Sequence, residues 1–371
     1  MRLSLPPEVL PEVMRPLAKA IEGRADYARR LADILKSLAP SISRQEAVRL
    51  AVALRELSND DSYVWALTDQ FVRAVVPEWH FVIVKDEKRN SVYDNALRAL
   101  VTPETYVLEI GTGSGILAMM AARAGARHVY TIEVEPVLAE AARSNISKNG
   151  FSDQITVINK DVLKVRVGED LPQRCGLLVH EIVSNDLLGQ RVLSLVGYAR
   201  RELLLANALM LPQFIEARGM LVGDKAAWKV DDEDACAGFD VRAINILASR
   251  TPGRNAKKLP NLPLSDPVTV LSIDLARDQL TKEDDTVGYE KTRFVLEAFR
   301  DGEARSVLQW IRFVFPGGAA YENVPGQASC WGTRMHPFDI SRHVIPGEQI
   351  ECELETGDKH LLISLPTKVD T

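Results

Sequence analysis

The chain has 371 residues, of which 46% are apolar and 26% charged, with a formal net charge of −6. This composition is typical of a globular protein of two or three domains, and the acidic balance argues against a general nucleic-acid surface. No apolar run approaches the roughly 18 residues that cross a bilayer, so we expect no membrane partner. The four cysteines are far apart and form no CxxC pair. They predict reduced thiols in a cytoplasmic protein and no structural metal site.

Residues 1–90 have the pattern of helices. The run SRQE, Ser43 to Glu46, has the spacing of a capping box and predicts the start of a helix. Apolar side chains recur at helical spacing at Leu17, Ile21, Tyr27, Leu31, Ile34 and Leu38. We therefore predict a helical N-terminal region, to which the sequence assigns no role.

Residues 91–212 alternate between strand and helix patterns. Helices between the strands begin or end at suitable residues, Pro136 in a first turn and Gly125 and Gly150 at C-terminal ends. Four short apolar runs have the pattern of buried strands: YVLEI, HVYTIE, ITVIN and GLLVHE. The repeated unit predicts an α/β domain with an open, doubly wound parallel sheet.

Residues 213–371 have strand patterns separated by glycine, proline and charged turns. The runs are FIEARGMLV, PVTVLSIDL, RFVLEAF, VLQWIRFVF, QIECELE and HLLISL. They predict an antiparallel β-barrel or sandwich. Residues 229–265 interrupt this pattern and look like an insertion between strands, which we interpret as a partner-binding arm.

A glycine-rich loop, LEIGTGSG, follows the first predicted strand. Gly111 and Gly113 allow the backbone to approach a ligand closely, ahead of a helix N-terminus. Glu133 lies 22 residues after Gly111 at the end of the second strand, where an acid can bind ribose hydroxyls. The spacing is G-x-G-x-G rather than the G-x-G-x-x-G of dinucleotide sites, which favours S-adenosyl-L-methionine as the cofactor. An NAD-type site and a tight turn without a ligand are the alternatives.

Two further predicted strands end in acids. Asp161, followed by Val162, is a candidate for the adenine edge of the cofactor site or for a solvated turn residue. Glu181 ends the fourth strand, and ligands bind outside the carboxyl ends of parallel strands, so we expect it to face the cofactor pocket. The alternative for Glu181 is an exposed acid at a strand end. His180 points the opposite way if the strand persists, and we expect it to pack in the core.

Residues 107–172, which begin VLEIGTGSGIL, resemble the protein arginine methyltransferase family, and most closely its type III, monomethylating branch. The similarity extends to KDEKRN (85–90) and to ALMLPQFIEARGMLVGD (208–224). GFDV (238–241) resembles the dimerisation arm of the family, and SCWGTRMHPF (329–338) resembles its substrate loop. The resemblance implies a Rossmann-like class I methyltransferase domain, a C-terminal β-barrel and a homodimer.

The resemblance also implies roles for single residues. Arg89 matches the arginine that pairs with the methionine carboxylate of the cofactor; without the resemblance it would be read as a solvated charge on a helix. Glu133 matches the ribose acid, and Glu181 matches the first of two active-site glutamates. Trp331 matches the tryptophan that lines the substrate pocket, although a place in the barrel core is the alternative.

Three features depart from the family pattern. The position of the second glutamate, nine residues after Glu181, holds Gln190. The histidine before the loop tryptophan is replaced by Cys330, and no tyrosine motif is recognisable near Phe71. Asp186 is a candidate for the missing charge, with a helix cap or a solvated loop acid as the alternative.

These residues predict methyl transfer to a guanidinium. Glu181, with Gln190 or Asp186 beside it, can accept N–H bonds from the guanidinium and hold the attacking nitrogen in line with the methyl group. We predict an S-adenosylmethionine-dependent arginine N-methyltransferase that mainly monomethylates. Free L-arginine is favoured, as in a small microbial branch that serves natural-product biosynthesis such as the streptozotocin pathway. Peptidyl arginine and a catalytically silent regulatory relative are the alternatives.

Overall fold

The computed structural model describes residues 5, 9–224, 230, 236–247, 253–254, 262–278 and 287–366. Its first helices are α1 (Arg15–Ala20), α2 (Tyr27–Leu38), α3 (Arg44–Ser58) and α4 (Ser62–Val75). They pack around an apolar core of their own, which includes Leu31, Leu35, Leu50 and Leu54. The predicted capping box is present, because Ser43 and Glu46 bond each other's backbone N–H groups at the start of α3.

A five-stranded parallel sheet follows the helical bundle. The chain enters it through α5 (Trp79–Ile83) and α6 (Glu87–Leu100). The next elements are β1 (Tyr106–Ile110), α7 (Ile116–Arg123), β2 (His128–Glu133), α8 (Pro136–Lys148), β3 (Ile155–Asn159), β4 (Cys175–His180), α9 (Val192–Glu202) and β5 (Leu204–Leu211). The strand order is β3-β2-β1-β4-β5, with all neighbours parallel. This confirms the predicted α/β fold class.

The C-terminal part is antiparallel. Its strands are β6 (Phe214–Val222), β7 (Gly253–Arg254), β8 (Val268–Asp274), β9 (Glu290–Glu297), β10 (Gly302–Val314), β11 (Ala320–Glu322), β12 (Thr333–Val344), β13 (Gln349–Thr356) and β14 (Leu361–Ser364). In the described part they form one sheet of order β7-β12-β10-β6-β8, with β11 beside β10, and a second of order β14-β13-β9. Both sheets fit the predicted barrel domain.

Strand β12 differs from the sequence interpretation. The resemblance assigned residues 329–338 to a loop, but the chain is extended from Thr333 onward and paired with β10 from Arg334 onward. The strand lacks a clear alternation of apolar residues, because Arg334, His336 and Pro337 interrupt it around the buried Met335. Pairing with β10, which fixes this segment, is a long-range contact and leaves no local pattern.

The predicted boundary near residue 90 lies within α6, which packs against the parallel sheet. One continuous apolar core runs from α6 through this sheet into the barrel. Of the predicted arm, residues 236–247 are described, and they form two short 3-10 turns, Cys236–Gly238 and Arg242–Leu247. Most of the remaining arm lies outside the described residues. No helix among the described residues is both long and apolar enough to cross a membrane.

Candidate active site

A cavity of about 570 Å³ lies at the carboxyl edge of the parallel sheet. The four strand ends singled out in the sequence all reach it, because parallel strands present their carboxyl ends at one edge. Its lining includes Gly111, Gly113, Glu133, Asp161, Val162 and Glu181. The expected convergence of these residues is therefore present in the fold, and their individual roles remain predictions.

The glycine loop lies close to the next strand and to the loop after β4. The backbone N–H groups of Gly111 and Thr112 donate to the carbonyl oxygen of Ile132, at 2.9 and 3.2 Å. Gly111 has a φ of +86°, and an added Cβ would lie 2.8 Å from a side-chain carbon of Ile182. Only glycine fits this position, which lets backbone form the floor of the cavity.

Glu133 is held in place by two backbone donors. Gly113 N–H donates to its Oε2 at 2.9 Å, and Glu135 N–H donates to its Oε1 at 3.0 Å. A carboxylate has about four acceptor positions, so both oxygens retain capacity for hydroxyl groups. The geometry thus suits the predicted ribose-binding role.

For Asp161 the sequence left two alternatives open, a residue of the cofactor site and a turn residue, and its position in the structure is compatible with both. Its Oδ1 accepts from Leu163 N–H at 3.0 Å and caps the short turn Val162–Lys164. Its side chain also lines the cavity beside Val162. A capping bond uses one acceptor position of the carboxylate and leaves others for a ligand.

Glu181 lies directly after β4 and is almost fully buried, with 5% of its side chain exposed. Its Oε2 forms an ion pair with the guanidinium of Arg89, whose side chain is 3% exposed. Its Oε1 accepts a hydrogen bond from Trp331 Nε1 at 3.0 Å. Burial would lower the pKa of Arg89, but the charge of Glu181 offsets this and raises the pKa. One carboxylate therefore binds a guanidinium from α6 and an indole from the C-terminal domain.

The two candidates for a second catalytic group differ in position. Gln190 lines the cavity and is exposed. Asp186 is absent from the cavity lining; its Oδ1 accepts from Gly189 N–H at 3.0 Å and from the Ser184 hydroxyl. These contacts fit the alternative of a loop acid, and the catalytic charge at Asp186 stays a prediction.

His180 is fully buried, as expected for a core residue. Neither ring nitrogen has a hydrogen-bond partner among the described residues. Burial lowers the pKa of His180 to about 3, so the imidazole is neutral. A proton-transfer role for this histidine would need a partner that the described structure does not provide.

Several residues of the cavity were not anticipated from the sequence. Arg44, Trp79 and His80 reach it from the N-terminal helices, which the sequence left without a role. Glu109, in the motif LEIG, also lines it, and its Oε2 accepts from Thr131 Oγ1 at 2.6 Å. Burial raises the pKa of Glu109 to about 8. An acid inside an otherwise apolar strand was the available sequence signal for Glu109.

The sequence is similar to known methyltransferases. Residues 94–194 match the family model of ribosomal protein L11 methyltransferase (PrmA). An arginine N(omega)-methyltransferase of Streptomyces achromogenes subsp. streptozoticus is 33% identical over 359 residues, or 95% of this chain and 96% of that protein. Protein arginine N-methyltransferase 7 of Rattus norvegicus is 31% identical over 62% of this chain. The chain spans 35% of the length of that relative.

Solved structures show the same fold at lower identity. The PRMT1 enzyme–prozyme complex of Trypanosoma brucei with AdoHcy matches with a TM-score of 0.64 and 20% identity, over 78% of this chain and 94% of that one. Protein arginine methyltransferase 10 of Arabidopsis thaliana matches with a TM-score of 0.59 and 17% identity, over 76% and 96% of the two chains.

The parallel sheet, the glycine loop and the cavity at the carboxyl edge define the class I methyltransferase fold. The chain belongs to the arginine N-methyltransferase family, since it is 33% identical over nearly its whole length to the Streptomyces protein. This membership confirms the predicted family and the predicted enzyme class, an S-adenosylmethionine-dependent arginine N-methyltransferase. Family membership identifies neither the acceptor molecule nor the roles of single residues.

Proposed function

We propose that the protein methylates free L-arginine and releases Nω-methyl-L-arginine. The observation that carries this proposal is the extent of the similarity. The Streptomyces arginine N(omega)-methyltransferase matches 95% of the chain, including the N-terminal helices, whereas the Rattus norvegicus relative matches 62%. Those helices contribute Arg44, Trp79 and His80 to the cavity, so the region shared with the Streptomyces relative includes part of the site.

The residues around the cavity fit S-adenosyl-L-methionine. When bound, this cofactor supplies the electrophilic methyl group. We assign the ribose hydroxyls to Glu133 and the adenine edge to Asp161 and Val162. Gly111 contributes only backbone to the cavity lining, which suits a methionine moiety against the backbone. Arg89 would bind the methionine carboxylate while it holds Glu181, since a guanidinium has five N–H donors.

Glu181 is the residue that we assign to the acceptor. It already binds one guanidinium, that of Arg89, and this contact supports the assignment of a second planar cation to the same carboxylate. A second guanidinium bound to its remaining acceptor positions would be fixed in its plane, with positive charge drawn toward the bonded nitrogens. The other nitrogen would then be placed for in-line attack. Gln190 can add one hydrogen bond but no charge, which fits a single methylation.

The test compares two acceptors. The protein is incubated with the methyl donor and either free L-arginine or a Gly/Arg-rich peptide, and the products are weighed by mass spectrometry. We expect a gain of one methyl group on free arginine. Methylation of the peptide alone would contradict the choice of acceptor, and cofactor binding without turnover on either would indicate a regulatory protein.

The same assay tests Glu181. Glu181→Gln should reduce kcat by at least 100-fold, because the amide brings no negative charge to the acceptor. Glu140→Gln, which changes an exposed glutamate of α8, is the matched control. Unchanged turnover in Glu181→Gln would contradict its role.

We also propose that the protein forms a homodimer through the arm. Phe239, Ile246 and Leu247 of the described arm segment are 74%, 88% and 81% exposed, which is unusual for large apolar side chains that lie close together in the chain. Light scattering of the purified protein should give twice the chain mass of 41.1 kDa. Phe239→Asp should reduce that mass to one chain, and a dimer that persists in this variant would contradict the proposal.

The cysteines support a reducing compartment. All four are free, and Cys175 and Cys352 are buried. We propose a cytoplasmic enzyme whose methylated arginine serves natural-product biosynthesis. Detection of Nω-methyl-L-arginine in cells that express the protein, and its loss in the Glu181→Gln variant, would test the product in its proposed setting.

A further inference from the structure

Tyr321 lies where helix α6 meets the loop that carries Trp331. It is on the short strand β11, is 1% exposed, and packs near Phe313 of β10. Nothing in the sequence motifs or in the proposed function uses it. Its hydroxyl, however, contacts both sides of this junction.

One side of the junction is Asp86, the N-cap of α6. Asp86 Oδ1 accepts from Arg89 N–H at 2.9 Å and so fixes the first turn of the helix that carries Arg89. Asp86 Oδ2 accepts from Tyr321 O–H at 2.6 Å and from Cys330 N–H at 2.9 Å. Burial alone would raise the pKa of Asp86, but these hydrogen bonds hold it below the usual value. The aspartate is therefore an anion that joins α6 to the loop.

The other side of the junction is the loop itself. The hydroxyl groups of Tyr321 and Ser329 are 2.6 Å apart, and Ser329 Oγ accepts from Trp331 N–H at 3.0 Å. Because Tyr321 donates its proton to Asp86, Ser329 donates to Tyr321. The indole of Trp331 then donates to Glu181 at 3.0 Å.

The side chain of Cys330 cannot replace the Tyr321 hydroxyl as a hydrogen-bonding group between Asp86 and the loop. Its sulfur lies 3.6 Å from the Tyr321 oxygen, and a thiol is a weak hydrogen-bonding group. Burial raises the pKa of Cys330, so the side chain stays neutral. Where the family has a histidine, this chain has a weak donor, and the strong side-chain donor to Asp86 is the hydroxyl of Tyr321.

We propose that Tyr321 is a positioning residue that clamps the N-terminus of α6 to the Trp331 loop, so that Arg89 and Trp331 meet Glu181 in one fixed arrangement. The clamp connects residues 235 positions apart in the chain, Asp86 and Tyr321. This inference rests on the proposed function, because the clamp affects turnover only if Glu181 holds the acceptor.

Tyr321→Phe tests the clamp, since it removes the hydroxyl and keeps the ring. We expect kcat/KM for arginine to fall about 10- to 100-fold, the effect of losing a hydrogen bond to a charged group. Affinity for S-adenosylhomocysteine should fall by a smaller factor than kcat/KM, because Arg89 N–H still donates to Asp86 in this variant. Tyr198→Phe is the matched control; it loses the bond that its hydroxyl donates to the Val165 carbonyl at 2.8 Å and the bond that it accepts from Arg166, and it should keep wild-type kinetics.

A double variant separates positioning from a merely structural role. Tyr321→Phe and Ser329→Ala break the same clamp, so together they should lower kcat/KM little more than Tyr321→Phe alone. Losses that multiply would overturn the proposal, as would a kcat/KM for Tyr321→Phe within twofold of wild type.

The indole N–H resonance of Trp331, recorded with ¹⁵N-labelled tryptophan and assigned from Trp331→Phe, provides a test without turnover. It should shift in Tyr321→Phe and stay in place in Tyr198→Phe. If the wild-type protein methylates no arginine substrate, the proposed function fails. The resonance then tests by itself whether Tyr321 positions the Trp331 loop. An unchanged resonance in Tyr321→Phe would then overturn it.

Discussion

Glu181 is a buried carboxylate that accepts from two donors, Arg89 and Trp331. Leaving a carboxylate in a buried site is costly unless a cation and hydrogen bonds compensate it. Arg89 and Trp331 provide both, on different oxygens. Together they fix the orientation of the carboxylate before any acceptor arrives. The ion pair with Glu181 also explains why Arg89 is buried although it carries a charge.

Replacing Gln190 tests whether one carboxylate is sufficient. Gln190→Glu adds a negative charge at an exposed position of the cavity wall and should lower KM for arginine about three- to tenfold, since charge-assisted hydrogen bonds are about twice as strong as neutral ones. Steady-state kinetics measure the change. Gln173→Glu, at an exposed position outside the cavity lining, is the control; an equal decrease in both variants would show a general charge effect.

Glu109 should make stability depend on pH. Its pKa is raised by burial from 4.5 to about 8, so the folded protein holds this proton more tightly than the unfolded chain. The resulting stability is fully present below about pH 4.5 and is lost as the pH rises to about 8. Glu109→Gln removes this titration, so its free energy of unfolding should decline less over that range.

Urea unfolding between pH 5 and pH 8 measures this difference, with Glu140→Gln as the exposed control. Equal slopes in wild type and Glu109→Gln would mean that Glu109 is ionised in the folded protein.

At the scale of single elements, α3 depends on its capping box. Ser43→Ala should destabilise the helix by about 1 kcal/mol, because the first turn loses a side-chain acceptor for a backbone N–H. Proteolytic cleavage within α3 should become about fivefold faster if opening precedes cleavage. Ser37→Ala, whose hydroxyl bonds a carbonyl within α2, is the control. Equal cleavage rates in Ser43→Ala and wild type would show that the cap contributes nothing.

The sequence predicted some strands with their correct bounds and missed other strands entirely. The strands β1, β2 and β3 match the apolar runs residue for residue, because each is short, largely apolar and followed by a turn signal. Strand β5 was missed, although LLANALML is largely apolar, because an apolar run of this length does not separate strand from helix. Strand β12 was missed because its apolar residues do not alternate.

At the scale of the whole molecule, the N-terminal helices line part of the cavity that we assign to the cofactor. Arg44, Val75 and Trp79 line it together with the glycine loop. A ligand present at 100 times its Kd stabilises the folded state by about 2.7 kcal/mol. S-adenosylhomocysteine should therefore slow amide hydrogen exchange at the end of α4 and in α5, as measured by mass spectrometry. The helix α2, which is absent from the cavity lining, serves as the internal control; equal slowing in α2 and α5 would contradict a local contact.

The sequence by itself determined the alternation of strands and helices from β1 to β4 and the convergence of Gly111, Glu133, Asp161 and Glu181 on one edge. It could do so because strand periodicity is local and the carboxyl ends of parallel strands share an edge. Only the tertiary structure brought Arg89 against Glu181, Trp331 against the same carboxylate, and the N-terminal helices over the cavity. These contacts join residues far apart in the chain, and they depend on how surfaces pack, for which no short sequence pattern exists.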